Sequence, residues 1–400
     1  MDRRQFLKLG GAAAAAGTLA PGVAQTAGLR EAPPRKIRSG QVNMTITPYE
    51  FPMIDGRDVY ANFFEIEDAT HQPTIWVMEG DYLKIVIKNN DHRRHSFEIT
   101  GVDLKSYAPI EPYEEATYHF TAPAPGSYLY FDPYNFPVNR ILGLNGAIIV
   151  LPLAGNTPAG SPTPYNVSQQ NKQVRALFDE LGAPDGHFPG NKWDPYPPAV
   201  DKYPRDLVWV TSEMDSTLAR RIANREEVSG SVWKSSFEPD YFMINGVSGF
   251  ETAGHEPLSD EKYSYSQLIE PKGYEGQPTM IRCLNAGLAT HSLHIHGNDL
   301  FELTRTNSAG GVVVNNNILQ LDTWAMPPTE RKDMLLPFVK PLDAPVWPPV
   351  EEPFPMRYVM HCHCEMSNTA GGGNYPQGMV SHWEMVGTYA KYLEVKKGLL

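Results

Sequence analysis

Apolar residues in this chain come in short runs cut by turn-forming residues, and the runs predict strands far more often than helices. Thr74–Glu79 and Tyr82–Lys88 are separated by Gly80-Asp81 and closed by Asn89-Asn90, which reads as strand, turn, strand, turn. Ala116–Thr121 alternates ahead of Pro123-Ala124-Pro125-Gly126, and Ser127–Phe131 follows as another strand. Ala147–Leu151 is continuously apolar, the pattern of a strand covered on both faces. These elements define a first unit over residues 42–152. Residues 153–204 are rich in Pro and Gly with a single helix expected over Gln169–Leu181, and read as a long inter-domain connection. A second strand-rich unit covers 205–394 and starts with the apolar run Asp206–Val210. Its segments echo the first unit in order: Gln277–Leu284 then Asn285-Ala286-Gly287 parallels Thr74–Lys88 then Asn89-Asn90. Likewise Ser292–Gly297 parallels Ser96–Gly101, and Arg357–Cys364 parallels Gly126–Pro133. The pattern predicts an all-β protein made by duplicating one β-sandwich.

Composition narrows the class. The 400 residues include 36 Pro and 33 Gly, and the charge of -12 lacks any basic stripe for phosphates, which excludes nucleic acid as a partner. Residues 1–27 stand apart: Asp2-Arg3-Arg4-Gln5-Phe6-Leu7-Lys8 precedes a small-residue apolar run, Leu9 to Ala20, and then small residues suited to cleavage. This resembles a twin-arginine export signal and implies a periplasmic protein; the run is too short and too rich in Ala and Gly to span a bilayer. Three cysteines make no disulfide framework, and Cys362 and Cys364 lie too close along one strand to bridge. Cys283, inside an apolar run, reads as a small core residue.

The chemistry concentrates in two short stretches. His291–His296 (His-Ser-Leu-His-Ile-His) and His361–Cys364 (His-Cys-His-Cys) hold five of the 12 histidines and two of the three cysteines. Imidazole together with thiolate is donor chemistry suited to copper. Side chains alternate between the faces of a strand. If both stretches are strands, His294 and His296 share a face, His361 and His363 share a face, and His291 and Cys362 point the other way. Two paired strands would then carry a thiolate–imidazole site on one side and a four-imidazole site on the other, linked covalently through Cys362.

With these residues in view, the second unit resembles the copper-carrying terminal domain of multicopper oxidases. The matching pieces are Leu284-Asn285-Ala286-Gly287, His291–Gly297, Asp322–Arg331, His361-Cys362-His363 and Gly378-Met379. The first unit is similar to a cupredoxin domain of that family through Glu79-Gly80-Asp81 and Gly143–Val150. The resemblance implies two cupredoxin-like Greek-key β-sandwich domains, copper as cofactor and an oxidoreductase activity. It identifies His291 and Cys362 with the blue-copper ligands, Met379 with the weak axial position, and His294, His296, His361 and His363 with half of an oxygen-reducing cluster. Electrons would come from a small molecule or a protein donor and pass to oxygen or a small oxyanion. Two-domain members include copper nitrite reductases and small laccases, so a homotrimer is implied as well.

The chain departs from that family in two places. No histidine follows Cys362 within Glu365–Asn374, so the third blue-copper ligand is missing or replaced, with Met366, Cys364 or His382 as candidates. In the first unit, Ser96-Phe97-Glu98-Ile99-Thr100 and Tyr130-Phe131-Asp132-Pro133 stand where the family has histidine pairs. The cysteine of the nitrite reductase first domain is also gone, replaced near Asp132. Domain one is therefore expected to be electronically silent, and the alternatives are a nitrite-reductase-like enzyme or a non-catalytic copper-binding protein. His92 and His95 read as solvated turn residues, against a role in or beside a metal site across the domain interface. Glu98 and Asp132 read as carboxylates in ordinary polar contacts, against supplying a ligand to a remodelled metal centre or a proton to substrate, and His382 as packed on the sandwich, against a ligand role.

Overall fold

The computed structural model describes residues 39–398 except 67–72, 105–107, 154–155, 158–162, 184–186, 189, 195–202, 253–268, 342–347 and 349–351; the export signal thus lies outside the described residues. Four sheets form two sandwiches. In the first domain, β1 (Ser39–Pro52), β2 (Asp58–Ile66), β4 (Tyr82–Asn89) and β6 (Glu115–Thr121) make one sheet in the order β2-β1-β4-β6. Its facing sheet is β3-β8-β7-β5, from β3 (Ile75–Met78), β5 (Glu98–Ile99), β7 (Gly126–Phe131) and β8 (Asn145–Leu151). Alternation along β4 turns Leu83, Ile85 and Ile87 into the core with Tyr118, Phe120, Tyr128 and Ile148.

The second domain repeats this plan strand for strand. Its larger sheet contains β9 (Asp206–Met214), β10 (Tyr241–Ile244), β12 (Thr279–Asn285), β14 (Leu300–Thr306), β15 (Val312–Leu321) and β17 (Arg331–Leu336), in the order β10-β9-β12-β17-β14-β15. The other sheet is β11-β19-β18-β13-β16, from β11 (Lys272–Gly273), β13 (His291–Ile295), β16 (Thr323–Met326), β18 (Met356–Cys362) and β19 (Val380–Met385). The parallel pair β1–β4 reappears as β9–β12, and the parallel pair β3–β8 as β11–β19. The duplication expected from the sequence is therefore present in the order and sense of the strands, and β14, β15 and β16 are additions.

The expected helix in the connection forms over Lys172–Glu180, capped by Asn171, whose side chain accepts from the Gln173 and Val174 amides. The connection is more than a tether. Tyr165, Val174, Phe178 and Trp193 pack with Met280, Leu303 and Leu335 of the second domain in one buried cluster. The domains also meet directly: Leu129, Phe131, Ala147 and Ile149 of the first pack on Val208, Val210, Leu284 and Ala286 of the second. Polar groups fasten the same junction, where Asp333 accepts hydrogen bonds from Ser127, Tyr165 and Arg282.

Candidate copper centre

Strands β13 and β18 are antiparallel neighbours, with Leu293 opposite Cys362 and His294 opposite His361. That register decides the geometry. Cys362 points into the core beside His291, both fully buried, with 3.9 Å between Cys362 Sγ and His291 Nδ1. Donors about 2.0 and 2.3 Å from one first-row metal stand about 3.5–3.9 Å apart at angles of about 110–130°, so this nitrogen and sulfur fit a shared ion. Met379 is buried in the same core cluster, and its carbonyl accepts the Cys362 amide at 3.1 Å. Burial alone would raise the Cys362 thiol pKa, but the hydrogen bond and charge of His291, with the Cys364 and Ser292 amides, lower it. Burial likewise opposes His291, yet Cys362 and Glu213 lift its pKa to about 9. Glu213 on β9, with an oxygen 3.4 Å from His291 Nε2, carries no signal in the sequence; only the strand pairing brings it here.

The imidazoles occupy the opposite, outer face. One donor atom from each of His294, His296 and His361 lies within 4.8 Å of the others, and His296 Nε2 is 3.3 Å from His361 Nε2. Two nitrogens on one tetrahedral ion stand about 3.3 Å apart, so this set fits a metal as well. His363 continues beyond β18, its ring stacked 5.1 Å from that of His361 and edge-on to that of His294 at 4.5 Å. His294 Nδ1 is 2.9 Å from the Asp322 carbonyl and 2.9 Å from Thr323 Oγ1; donating to that carbonyl leaves Nε2 for a ligand. Burial and the neighbouring imidazoles lower the pKa of His296 and His361, which keeps their lone pairs available near neutral pH. After His296 the chain turns away at Gly297 (φ +76°), where a Cβ would run into the Tyr358 ring. A cleft of about 840 Å³ opens beside His294 and His296 and is also lined by His187, Phe188, Asp322 and Lys340.

Two of the three replacements suggested by the sequence for the missing ligand are turned away from the site: Met366 is 64% exposed and His382 Nε2 lies 3.0 Å from Glu270. Cys364 Sγ donates to the Thr290 carbonyl at 3.4 Å, and its side chain also lies beside the Cys362 thiol. The group at that place is Ser367, whose hydroxyl is 3.2 Å from His291 Nδ1.

The first domain corrects a second expectation. His95 is no solvated turn residue: it is fully buried, with Nδ1 2.6 Å from Asp132 and Nε2 3.0 Å from Asp91. Asp132 also accepts from Asn139 Nδ2 and from the Ser96 and Tyr134 amides. His92 is the partly exposed member of the pair, 2.7 Å from Asp91. Glu98 is half-buried, and burial raises its pKa.

Comparison with known proteins agrees with this architecture. Residues 54–155 match the family model for multicopper oxidases, and residues 1–20 match that for the twin-arginine translocation signal. A search of curated sequences gives no match. Among solved structures, the chain is similar to a blue copper oxidase from Nitrosomonas europaea (19% identity over 87% of this chain and 86% of that one, TM-score 0.59). It is also similar to the multicopper oxidase mgLAC (20%, 87% and 86%, 0.58) and to a copper nitrite reductase from Nitrosomonas europaea (16%, 87% and 94%, 0.51). These structures establish the shared fold. Residues 54–155 thus match a multicopper oxidase family model, and the N-terminus carries the signal for export to the periplasm by the twin-arginine route.

Proposed function

We propose that this periplasmic protein takes single electrons at Cys362 and His291 from a small reductant or a protein donor. It would deliver them to a second centre at His294, His296, His361 and His363, where oxygen or a small oxyanion is reduced. The reading is carried by one observation: residues adjacent in sequence, Cys362 and His361, face opposite sides of β18, each beside a histidine of β13. Copper supplies one-electron exchange at the first set and Lewis acidity at the second. The protein supplies the rest. His361 and His363 flank Cys362 directly, so a covalent path joins the two faces. The core around Cys362 excludes water, whereas the imidazole face opens on the cleft and admits a small substrate. Among the described residues no helix is long and apolar enough to cross a membrane, which accords with an exported protein.

Cys362→Ala should abolish the thiolate-to-copper absorption and leave the far-ultraviolet dichroism unchanged; persistence of the colour defeats the reading. A second reading, a non-catalytic copper carrier or electron-transfer protein, is favoured by the first domain, where Glu98 and Phe131 stand in place of imidazoles and leave the oxygen cluster half furnished. One tightly bound copper per chain, with no oxygen consumption on phenols, ferrous ion or cuprous ion, would select it.

A further inference from the structure

The two domains hold equivalent cradles, and the equivalence identifies the residue at the vacant ligand position. In the first domain the Asp132 amide donates to the Leu144 carbonyl (3.0 Å), and the Leu144 amide to the Asn139 carbonyl (3.2 Å). In the second, the Cys362 amide donates to the Met379 carbonyl (3.1 Å), and the Met379 amide to the Ser367 carbonyl (2.6 Å). Backbone pairing therefore equates Asp132 with Cys362, Leu144 with Met379 and Asn139 with Ser367. The register Glu98 to Phe131, matching His294 to His361, equates His95 with His291. In the first domain the third member touches both others: Asn139 Nδ2 is 2.8 Å from Asp132 and 3.4 Å from His95 Nδ1. Its counterpart Ser367, 2% exposed, places Oγ 3.2 Å from the same nitrogen of His291 that faces Cys362 Sγ.

The short 3₁₀ turn over Glu365–Asn368 explains the orientation. The Ser367 amide donates to the Cys364 carbonyl, and Asn368 Nδ2 ties the turn to the Cys362 carbonyl at 2.7 Å. Ser367 is thereby turned inward and Met366 outward.

We propose that Ser367 Oγ occupies the third position of the Cys362–His291 copper site, making a thiolate–imidazole–hydroxyl set. The proposal rests on the assignment of copper to Cys362 and His291. A neutral hydroxyl is a much weaker copper donor than imidazole. The thiolate and one imidazole thus carry the binding, and that short set of strong donors favours the cuprous over the cupric ion. The site is accordingly a strong electron acceptor with a weak, altered colour.

The test uses the mature full-length protein loaded with copper, read by visible absorption and electron paramagnetic resonance per copper, with a redox titration. Ser367→His should increase the thiolate-to-copper absorption several-fold and lower the midpoint potential. Ser367→Cys, close in size to the native residue and so safe for folding, should shift the band by adding a second sulfur donor. Spectra and potential unchanged in both variants, with colour that still depends on Cys362, would overturn the proposal and leave the copper assignment standing. Colour that survives Cys362→Ala overturns the assignment itself, and the proposal with it.

Discussion

The same backbone cradle serves opposite ends in the two domains. Around Cys362, a thiol, an imidazole and a hydroxyl meet in an apolar core that also buries Met379, a donor set suited to copper. Around Asp132, the corresponding places hold a carboxylate, an imidazole, an amide and the apolar Leu144. There His95 lies between Asp91 and Asp132, and an imidazolium between two carboxylates satisfies the site without an ion. The outer faces diverge too. Phe131 and its neighbours are buried against the second domain, whereas the matching face around His361 is open. The duplicated fold thus supplies positions, and side-chain chemistry decides whether a position binds metal or welds the structure.

The largest effect that separates the two halves should come from His294→Ala. Bound copper should fall by the imidazole-held equivalent and turnover should be lost, while the Cys362-dependent colour persists; loss of both together would show that the faces are not separate sites. Asp132→Ala makes the converse case. It leaves the buried His95 imidazolium without its closest partner and should cost about 3–5 kcal/mol in chemical denaturation, with copper content per folded molecule unchanged. Phe131→His returns an imidazole to the matching place, but into a junction packed against Val208 and Leu284. The expected outcome is a loss of about 2–4 kcal/mol and no added copper, since a buried polar ring there lacks partners; an extra equivalent of metal would show that the face is accessible.

A smaller effect follows from titration. Burial opposes the charge on His95, but Asp132 and Asp91 outweigh it and raise the pKa above the usual imidazole value. Its stabilising contribution is then full below the unfolded value of about 6.5 and is lost as pH rises through the folded one. The melting temperature should accordingly fall as pH rises above about 6.5, and His95→Gln should flatten that dependence while lowering the overall stability. Asp91, which Arg93 and His95 hold ionised against burial, contributes in the other direction, with stability lost as pH falls below the ordinary carboxylate range.

Much of the second domain's site was legible because donors spaced by two along a strand must share a face, whatever the rest of the chain does. That rule placed His294 with His296, and His361 with His363, and set His291 and Cys362 apart from them. The local patterns also located β4, β7 and β12 within a residue or two. Spacing could not supply Ser367: a serine in a Gly-rich segment looks like any loop residue, and its role comes from a turn held by the Met379 amide. Glu213 and Asp91 were hidden for a similar reason, since nothing local marks a carboxylate that will face a ring nitrogen from elsewhere. His95 read as solvated because Asn90-Asp91-His92-Arg93-Arg94 is a polar run, yet the bridge to Ile110 and the bond to Asp132 carry it inside.

By itself, then, the sequence determined the strand character, the duplication, the export route and the two-faced donor pattern, all consequences of short-range periodicity and composition. Only tertiary structure decided which side chains close each cradle, that the first domain's centre is an ion pair, and that its outer face is sealed. Those outcomes depend on contacts between segments far apart in the chain, and burial sets the energy of a charge or a donor only once those segments have met.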